Sequence, residues 1–532
     1  MRPRRLRLVL RSAFRADRLC SALIALLFVT TASVAFAAPP QTMGSQQAAS
    51  PAATPPTQNM AMPSQAGPVP PKTWVDKDTG HRIWRVTDEP NSSGFYFNVN
   101  AYTPDHKQMV YSAPDGIHVL DLATMTTRLL VPNPPPPADA ATAASPRARF
   151  MYGVHAIVVG HKTDSVFFTQ MDPATHSSAV YKADTNTGAV TKLIDLPAGV
   201  MVASVNADET LGVGTYNEGS TPDSIAPFAP PAPPTPTSGA PAPVQGGGGL
   251  VQSDQKGSMM ERRLAARIPV VMFVIRLVPG PNGEKAGDMK ILFHSTDWIG
   301  HMLFSPTDPT LIMYCHEGMW QKVDRIWMIH ADGTGNILIH KRTMFMEIAG
   351  HEFWGLDGKT IWYDWQYPKG EDFFLANYDL TTRTRTAYHM QRNEWSIHFN
   401  LTQDLDMFTG DGGDSGQVAR APDGTWIELF HPHMLTETEG GAPALNDPTF
   451  WQPGVFESEH LVNMAHHNYR LEPNVRFSPD KTLVFFTSNM FGPSYVFAVE
   501  VAKAVNPTDV ESTPDLGIKY NPVMPTPTTT DK

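Results

Sequence analysis

Nineteen histidines are spread through the 532 residues, and several stand in similar local settings. His301 lies in Ile-Gly-His-Met-Leu-Phe-Ser-Pro, His316 in Cys-His-Glu-Gly, His351 in Gly-His-Glu-Phe-Trp and His398 in Ser-Ile-His-Phe-Asn; His466 and His467 form a pair. A neutral imidazole accepts a proton near neutral pH and also ligates metal ions. Convergent His, Glu and Asp is what an acid–base or metal site needs. Any one of these histidines alone reads as a structural residue. Their recurrence shortly before successive repeat markers argues for a shared site.

The elements that must position them repeat at roughly fifty residues. One unit reads Thr103-Pro104-Asp105, a strand-like Met109–Ser112, a turn, Ile117–Asp121, a second turn and Thr127–Leu130. Six more centre on Val166–Thr169 with Ala179–Asp184, Leu211–Tyr216 with Val271–Leu277, and Met313–Cys315 with Ile326–His330. The last three centre on Ile361–Trp365 with Phe374–Asp379, Asp404–Thr409 with Thr425–Leu429, and Val484–Ser488 with Val496–Val499. Seven sheet-like units at this period predict an all-β, seven-bladed β-propeller. No long helical pattern competes. Trp74–Val86 has the form of the last half of a unit, so the ring is expected to close with strands from both termini, which removes an open sheet edge.

Twenty-nine of the 49 prolines fall within 38–72, 132–146, 222–243 and 507–527. Pro lacks a backbone donor, so these read as linkers, loops or tails. The predicted organisation is a signal peptide over 1–37, a Pro/Ala-rich linker over 38–72, the propeller over 73–505 with a Pro/Gly-rich insertion at 220–257, and a Pro/Thr-rich tail over 506–532. Seven Arg precede the apolar run Leu19–Phe36, which ends in Ala35-Phe36-Ala37, a small-x-small cleavage pattern. The chain is therefore expected to be exported, to the periplasm or beyond, with no membrane association after export. Cys20 leaves with the signal. Cys315, in the apolar run Leu311–Tyr314, reads as a buried structural thiol.

The formal charge is −11, and without the first 37 residues (seven Arg, one Asp) it is −17. So acidic a chain excludes nucleic-acid binding over a broad basic face. An anionic ligand needs local cations.

At the histidine clusters the sequence resembles the oligogalacturonate lyase family. The shared stretches are Gly300-His301, Ser305-Pro306, Cys315-His316-Glu317-Gly318, Arg325-Ile326-Trp327 and His351-Glu352-Phe353-Trp354 with Asp357-Gly358. His398 followed by Gly410-Asp411-Gly412, and Phe477-Ser478-Pro479 with Thr487-Ser488, complete the set. The likeness covers about 295–500 well and 74–295 only as a propeller.

The resemblance implies β-elimination on a uronate-containing, pectic oligosaccharide. A base removes the C5 proton, the adjacent carboxylate is neutralised, and the 4-linked sugar leaves. It implies His351 as base, Arg325 as carboxylate-binding cation and His398 as a metal ligand, with His301, His316, Glu317, Trp354 and Asp411 lining the substrate. Trp320 and Trp365 are further candidates for stacking on sugar faces. The family holds manganese with a Gln-x-x-His-x-His pattern in its last blade. Here that segment reads Tyr469-Arg470-Leu471-Glu472-Pro473-Asn474. Two readings stay open: Glu472 and Asn474 join His398 around Mn²⁺ or Ca²⁺, with His466 or His467 as substitutes, or the metal is lost and Arg470 or Arg476 neutralises the carboxylate. The alternative function is a non-catalytic periplasmic propeller that binds a glycan or protein. A hydrolase finds no Gly-x-Ser-x-Gly elbow.

Overall fold

The computed structural model describes residues 70–135, 151–172, 175, 177–218, 253–414, 418–419, 421–436 and 449–504. The expected signal, the tail and most of the linker and insertion lie outside them.

The described chain is all-β apart from one long α-helix and short helical turns, and its strands fall where the repeat predicts. A typical sheet is antiparallel and ordered as the chain runs. Val154–Val159, Ser165–Met171, Ser178–Asp184 and Val190–Leu196 make one; Ile299–Phe304, Leu311–His316, Ile326–His330 and Ile337–Leu338 make another. Strands such as Val270–Arg276 are buried almost throughout, because each sheet is covered on both faces by its neighbours. The apolar clusters lie between successive sheets. One joins Val158, Phe167 and Val180 to Val205 and Phe273 of the next sheet. Another joins Phe485 and Val496 of the last sheet to Val110 and Tyr111 of the first. Each fully buried Val, Leu, Ile or Phe contributes about 1.5–3 kcal/mol, so the core is a chain of face-to-face interfaces. First strands of neighbouring sheets also touch: Val154–Val159 with Met201–Val205, and Met201–Val205 with Ile299–Phe304. Side chains on these strands therefore face a common space.

The last sheet joins the two ends of the described chain. His81–Arg85 pairs with Tyr495–Lys503 on one side and with Thr73–Val75 on the other. The pairing predicted for Trp74–Val86 is present.

Three features depart from the sequence reading. The first sheet has only three strands, Gln108–Ala113, Gly116–Asp121 and Thr126–Pro132. Its inner position is taken by an irregular segment bridged at Ser93–Ser112 and Tyr102–Met109. Second, the fifth and sixth units share one eight-stranded sheet. The strand Trp451–Asn463 extends beyond its hairpin and pairs in parallel with Arg385–His389. Third, a helix, Ser253–Ala266, begins inside the end of the predicted Pro/Gly insertion, 220–257. The insertion leaves the sheet at Asn217 and the chain rejoins it at Val270, which are cross-strand partners. Beyond Gly257 the helix runs through Met259-Met260-Glu261-Arg262-Arg263-Leu264-Ala265-Ala266, a set of good helix formers.

The strand Ile348–Trp354, which carries His351, is pinned at its start by Glu347. This buried carboxylate accepts from His340 Nε2 (2.8 Å), Trp365 Nε1 (2.9 Å) and the Met344 N–H (2.9 Å). Burial would raise its pKa, but the His340 bond and the backbone donors outweigh that and hold it at about 2, against an ordinary 4.5. A depressed value contributes stability above pH 4.5 that is lost as pH falls toward 2. We expect Glu347→Gln to cost about 2–4 kcal/mol in thermal or urea melts at neutral pH. The gap from the unaltered protein should narrow as the pH drops below 4.5.

Candidate active site

His301 and His351 occupy equivalent positions in the first strands of adjacent sheets. Each follows a glycine at a β-bulge: the register shifts between Gly300 and Leu303, and again between Gly350 and Phe353. Both histidines have positive φ, 48° and 45°. A bulge re-aims side chains, and a non-glycine residue in this region costs on the order of 1–3 kcal/mol. The fold thus gives up stability to turn two imidazoles out of strand alternation.

His351 is buried. In the tautomer that donates Nδ1–H to Asp364 Oδ2 (3.3 Å), its Nε2 carries a lone pair. Burial first, then the nearby His398 charge, pushes its pKa well below the ordinary histidine value, so the ring is neutral. Trp320 packs edge-on against it at 4.6 Å and His398 at 4.8 Å. Asp364 is raised by burial, and its Oδ1 has no partner.

Arg325 lies beside the same Trp320, its guanidinium 4.3 Å from the ring centroid. Nη2 donates to Glu317 Oε2 at 3.2 Å. Its Nε and Nη1 are buried without a hydrogen-bond partner. Each orphaned donor costs about 1–3 kcal/mol, recovered when an acceptor arrives, and a planar guanidinium edge fits a carboxylate.

His301 joins the two acids of this group, with Nε2 3.2 Å from Glu317 Oε1 and Nδ1 3.1 Å from Glu352 Oε1. Burial works against its charge, but Glu317 and Glu352 more than compensate and raise its pKa. Burial would likewise raise Glu352, yet the His301 bond and charge, with Arg325, hold it at about 2. His301, Cys315 and Glu352 offer ligand atoms within 4.8 Å of one another. Arg325 stands beside the same group, paired with Glu317. Cys315 is fully buried and its thiol pushed up by burial, as a structural thiol should be.

His398 is fully buried. Its Nδ1 pairs with Asp411 Oδ2 at 2.8 Å, and Phe97 stacks on it at 4.4 Å. Its Nε2 faces the Tyr96 hydroxyl at 3.2 Å and Glu472 Oε2 at 3.9 Å. Burial opposes a charge here, but Asp411 prevails and raises the pKa.

The sequence-predicted residues divide accordingly. His351, Arg325, His398, His301, Glu317 and Glu472 gather in one cluster. Asn474 does not present its oxygen to a cation: Oδ1 accepts from the Phe97 N–H at 3.0 Å, and Nδ2 donates to the Glu472 carbonyl. Asp411 is fully buried, and it accepts from the N–H groups of Ile397, His398 and Asn474 and pairs with the His398 ring, so it orients His398. Trp354 packs in the core and donates to the Leu303 carbonyl. His316 points to the opposite side of its strand from Cys315, stacks on Trp327 at 5.0 Å and lies 3.3 Å from Asp297. Trp365 stacks on Trp451 at 4.7 Å, away from the cluster. Arg476 donates to the carbonyls of Phe95, Tyr96 and Val99, so its guanidinium is committed. His467 is fixed by Ser488 and the Leu471 carbonyl. Tyr96, Phe97, Glu352 and Asp364 were not singled out as site residues by sequence reasoning. Glu352 adjoins His351 and could have been found; the others follow only from the fold.

With this geometry in view, comparison with known proteins is specific. Residues 276–505 match the oligogalacturonate lyase family model. The match bears out the resemblance read in the sequence. An oligogalacturonide lyase of Pectobacterium atrosepticum is 27% identical over 224 residues, covering 41% of this chain and 54% of that protein. An oligogalacturonate lyase of Dickeya dadantii is 26% identical over 234 residues, covering 42% and 54%. The chain thus matches about half the length of these curated relatives. Among solved structures, an oligogalacturonate lyase in complex with manganese aligns with TM-score 0.57 at 18% identity, covering 81% of this chain and 96% of that one. An oligogalacturonate lyase from Vibrio parahaemolyticus aligns with TM-score 0.55 at 16% identity, with the same coverage. At this identity the likeness establishes the fold, a propeller-like all-β architecture.

Gly350 is where the bulge and the site meet. A Cβ built on it would lie 2.4 Å from the Trp320 ring. Gly350→Ala should push Trp320 off both His351 and Arg325. We expect kcat/KM in the assay described next to fall at least about tenfold with near-wild-type circular dichroism.

Proposed function

We propose that this chain is a lyase that cleaves uronate-containing, pectic oligosaccharides by β-elimination. The observation that carries the reading is the pairing of a neutral, buried His351 with the unpartnered Nε and Nη1 of Arg325, both packed on Trp320. The substrate carboxylate bonds to that guanidinium. Its charge is then offset, and the C5 proton becomes acidic enough for a neutral imidazole to remove. His351 Nε2 takes the proton, a C4–C5 double bond forms, and the 4-linked sugar departs with a proton from water. Asp364 holds the His351 tautomer. Trp320 packs on both base and cation and keeps them in fixed relation. The oligogalacturonate lyase family match supports this chemistry.

A divalent cation, manganese or alternatively calcium, belongs to the proposal. His398 Nε2 and Glu472 Oε2, 3.9 Å apart, suit two ligands of one ion. The Asp411–His398 pair has the form in which a carboxylate orients a metal-binding imidazole. His398 and Glu472 would hold the ion, without Asn474, and when bound it supplies positive charge for the substrate carboxylate.

We further propose seven blades. The antiparallel halves of the eight-stranded sheet count as two, and the remaining sheets as five, with the last one closed by strands from both ends. Residues 1–37 are proposed to export the protein to the periplasm or beyond.

The test is an absorbance assay for the unsaturated product on saturated oligogalacturonides. We expect His351→Ala to reduce kcat by about 10²–10⁴. Arg325→Lys, which loses the planar edge, should cost about 10²-fold or more in kcat/KM. Saturated products would instead mean hydrolysis, and unchanged turnover by His351→Ala would remove it as base. Chelation should lower activity and Mn²⁺ should restore it. In His398→Ala, added Mn²⁺ should have no effect.

A further inference from the structure

We infer that Arg263, on the helix Ser253–Ala266, binds the carboxylate of a second, neighbouring uronate and so sets the chain length the site prefers. This rests on the lyase reading above. The helix Ser253–Ala266 is fastened to the turn that carries Glu317, Gly318 and Trp320. Leu264 fills the space beside Gly318, where a Cβ would come within 2.7 Å of it. Glu261 pairs with Lys322 at 2.7 Å, and Arg267 pairs with Asp297 beyond the helix end. Arg263 lies over the Trp298 ring at 4.3 Å. The Trp298 carbonyl in turn accepts the Glu317 N–H at 2.7 Å. Arg263 is therefore one residue removed from the acid that orients Arg325, and its charge interacts with Glu317. Its side chain is half-buried.

Charge supplies the chemical argument. An oligouronate carries one carboxylate per sugar. The acids Glu317, Glu352 and Asp411 of the cluster already pair with Arg325, His301 and His398, and the chain's formal charge is −11. Arg325 meets the carboxylate of the reacting sugar, so the carboxylate of the next sugar needs a cation of its own. A cation held on an indole face beside Glu317 is placed to receive it.

The experiment compares saturated di- and trigalacturonide turnover by the full chain and by Arg263→Gln, Arg263→Lys and Leu264→Ala. In Arg263→Gln the trimer-to-dimer ratio of kcat/KM should fall about tenfold through KM, and Arg263→Lys should restore most of it. Added salt should erode the trimer preference of the unaltered protein. Leu264→Ala, which loosens the turn, should lower kcat on both substrates without changing the ratio. An unchanged ratio in Arg263→Gln overturns the inference, whether both rates fall together or neither moves. If the unaltered protein turns over no oligouronate, the lyase reading fails separately. Calorimetric binding of the two saccharides to His351→Ala, with and without Arg263→Gln, then decides Arg263: an approximately tenfold selective loss for the trimer keeps the inference, and equal affinities overturn it.

Discussion

The structure around the site depends on burying Arg325 with part of its guanidinium unpartnered. A buried charge needs compensation, or it unfolds its surroundings. Here Glu317 takes one nitrogen, Trp320 covers the face, and Glu352 lies within electrostatic reach. His301 then ties both acids together. These groups can meet only because Gly300 and Gly350 permit bulges that redirect the histidines after them. The orphaned donors of Arg325 are a standing cost that a carboxylate reduces on binding.

The opposite wall depends on the joining of the two chain ends. Arg476 and Asn474, from the last sheet, hold the backbone of Phe95–Val99. That segment takes the place of a regular inner strand in the first sheet and sets Phe97 against His398 and Tyr96 against its Nε2. Two residues that the sequence offers as a metal ligand and a carboxylate cation therefore act as braces. Asp411 orients the His398 ring through Nδ1, and burial is the first cause that keeps His351 neutral.

Much of this was legible in sequence because strand periodicity is local. The apolar runs and their repeat at roughly fifty residues located most strands, and the Gly-His, Cys-His-Glu-Gly, Arg-Ile-Trp and His-Glu-Phe-Trp stretches brought His301, Glu317, Arg325 and His351 forward. Side-chain direction was less accessible. Alternation sends His316 away from Cys315, while a bulge turns His351 out of alternation and leaves Trp354 in the core. Asn474 looked like an oxygen ligand, but its oxygen belongs to Phe97, 377 residues away along the chain. Tyr96, Phe97 and Asp364 reach the site through tertiary packing alone. The helix Ser253–Ala266 was obscured by its Gly/Pro-rich approach and by Gly257 within it.

The most direct test of the central claim is a crystal structure of His351→Ala bound to an uncleaved oligogalacturonide. The account predicts one uronate carboxylate bonded to the Arg325 guanidinium, with C5 of that sugar facing the space left by the imidazole. A saccharide bound elsewhere, or a carboxylate held without Arg325, would contradict it.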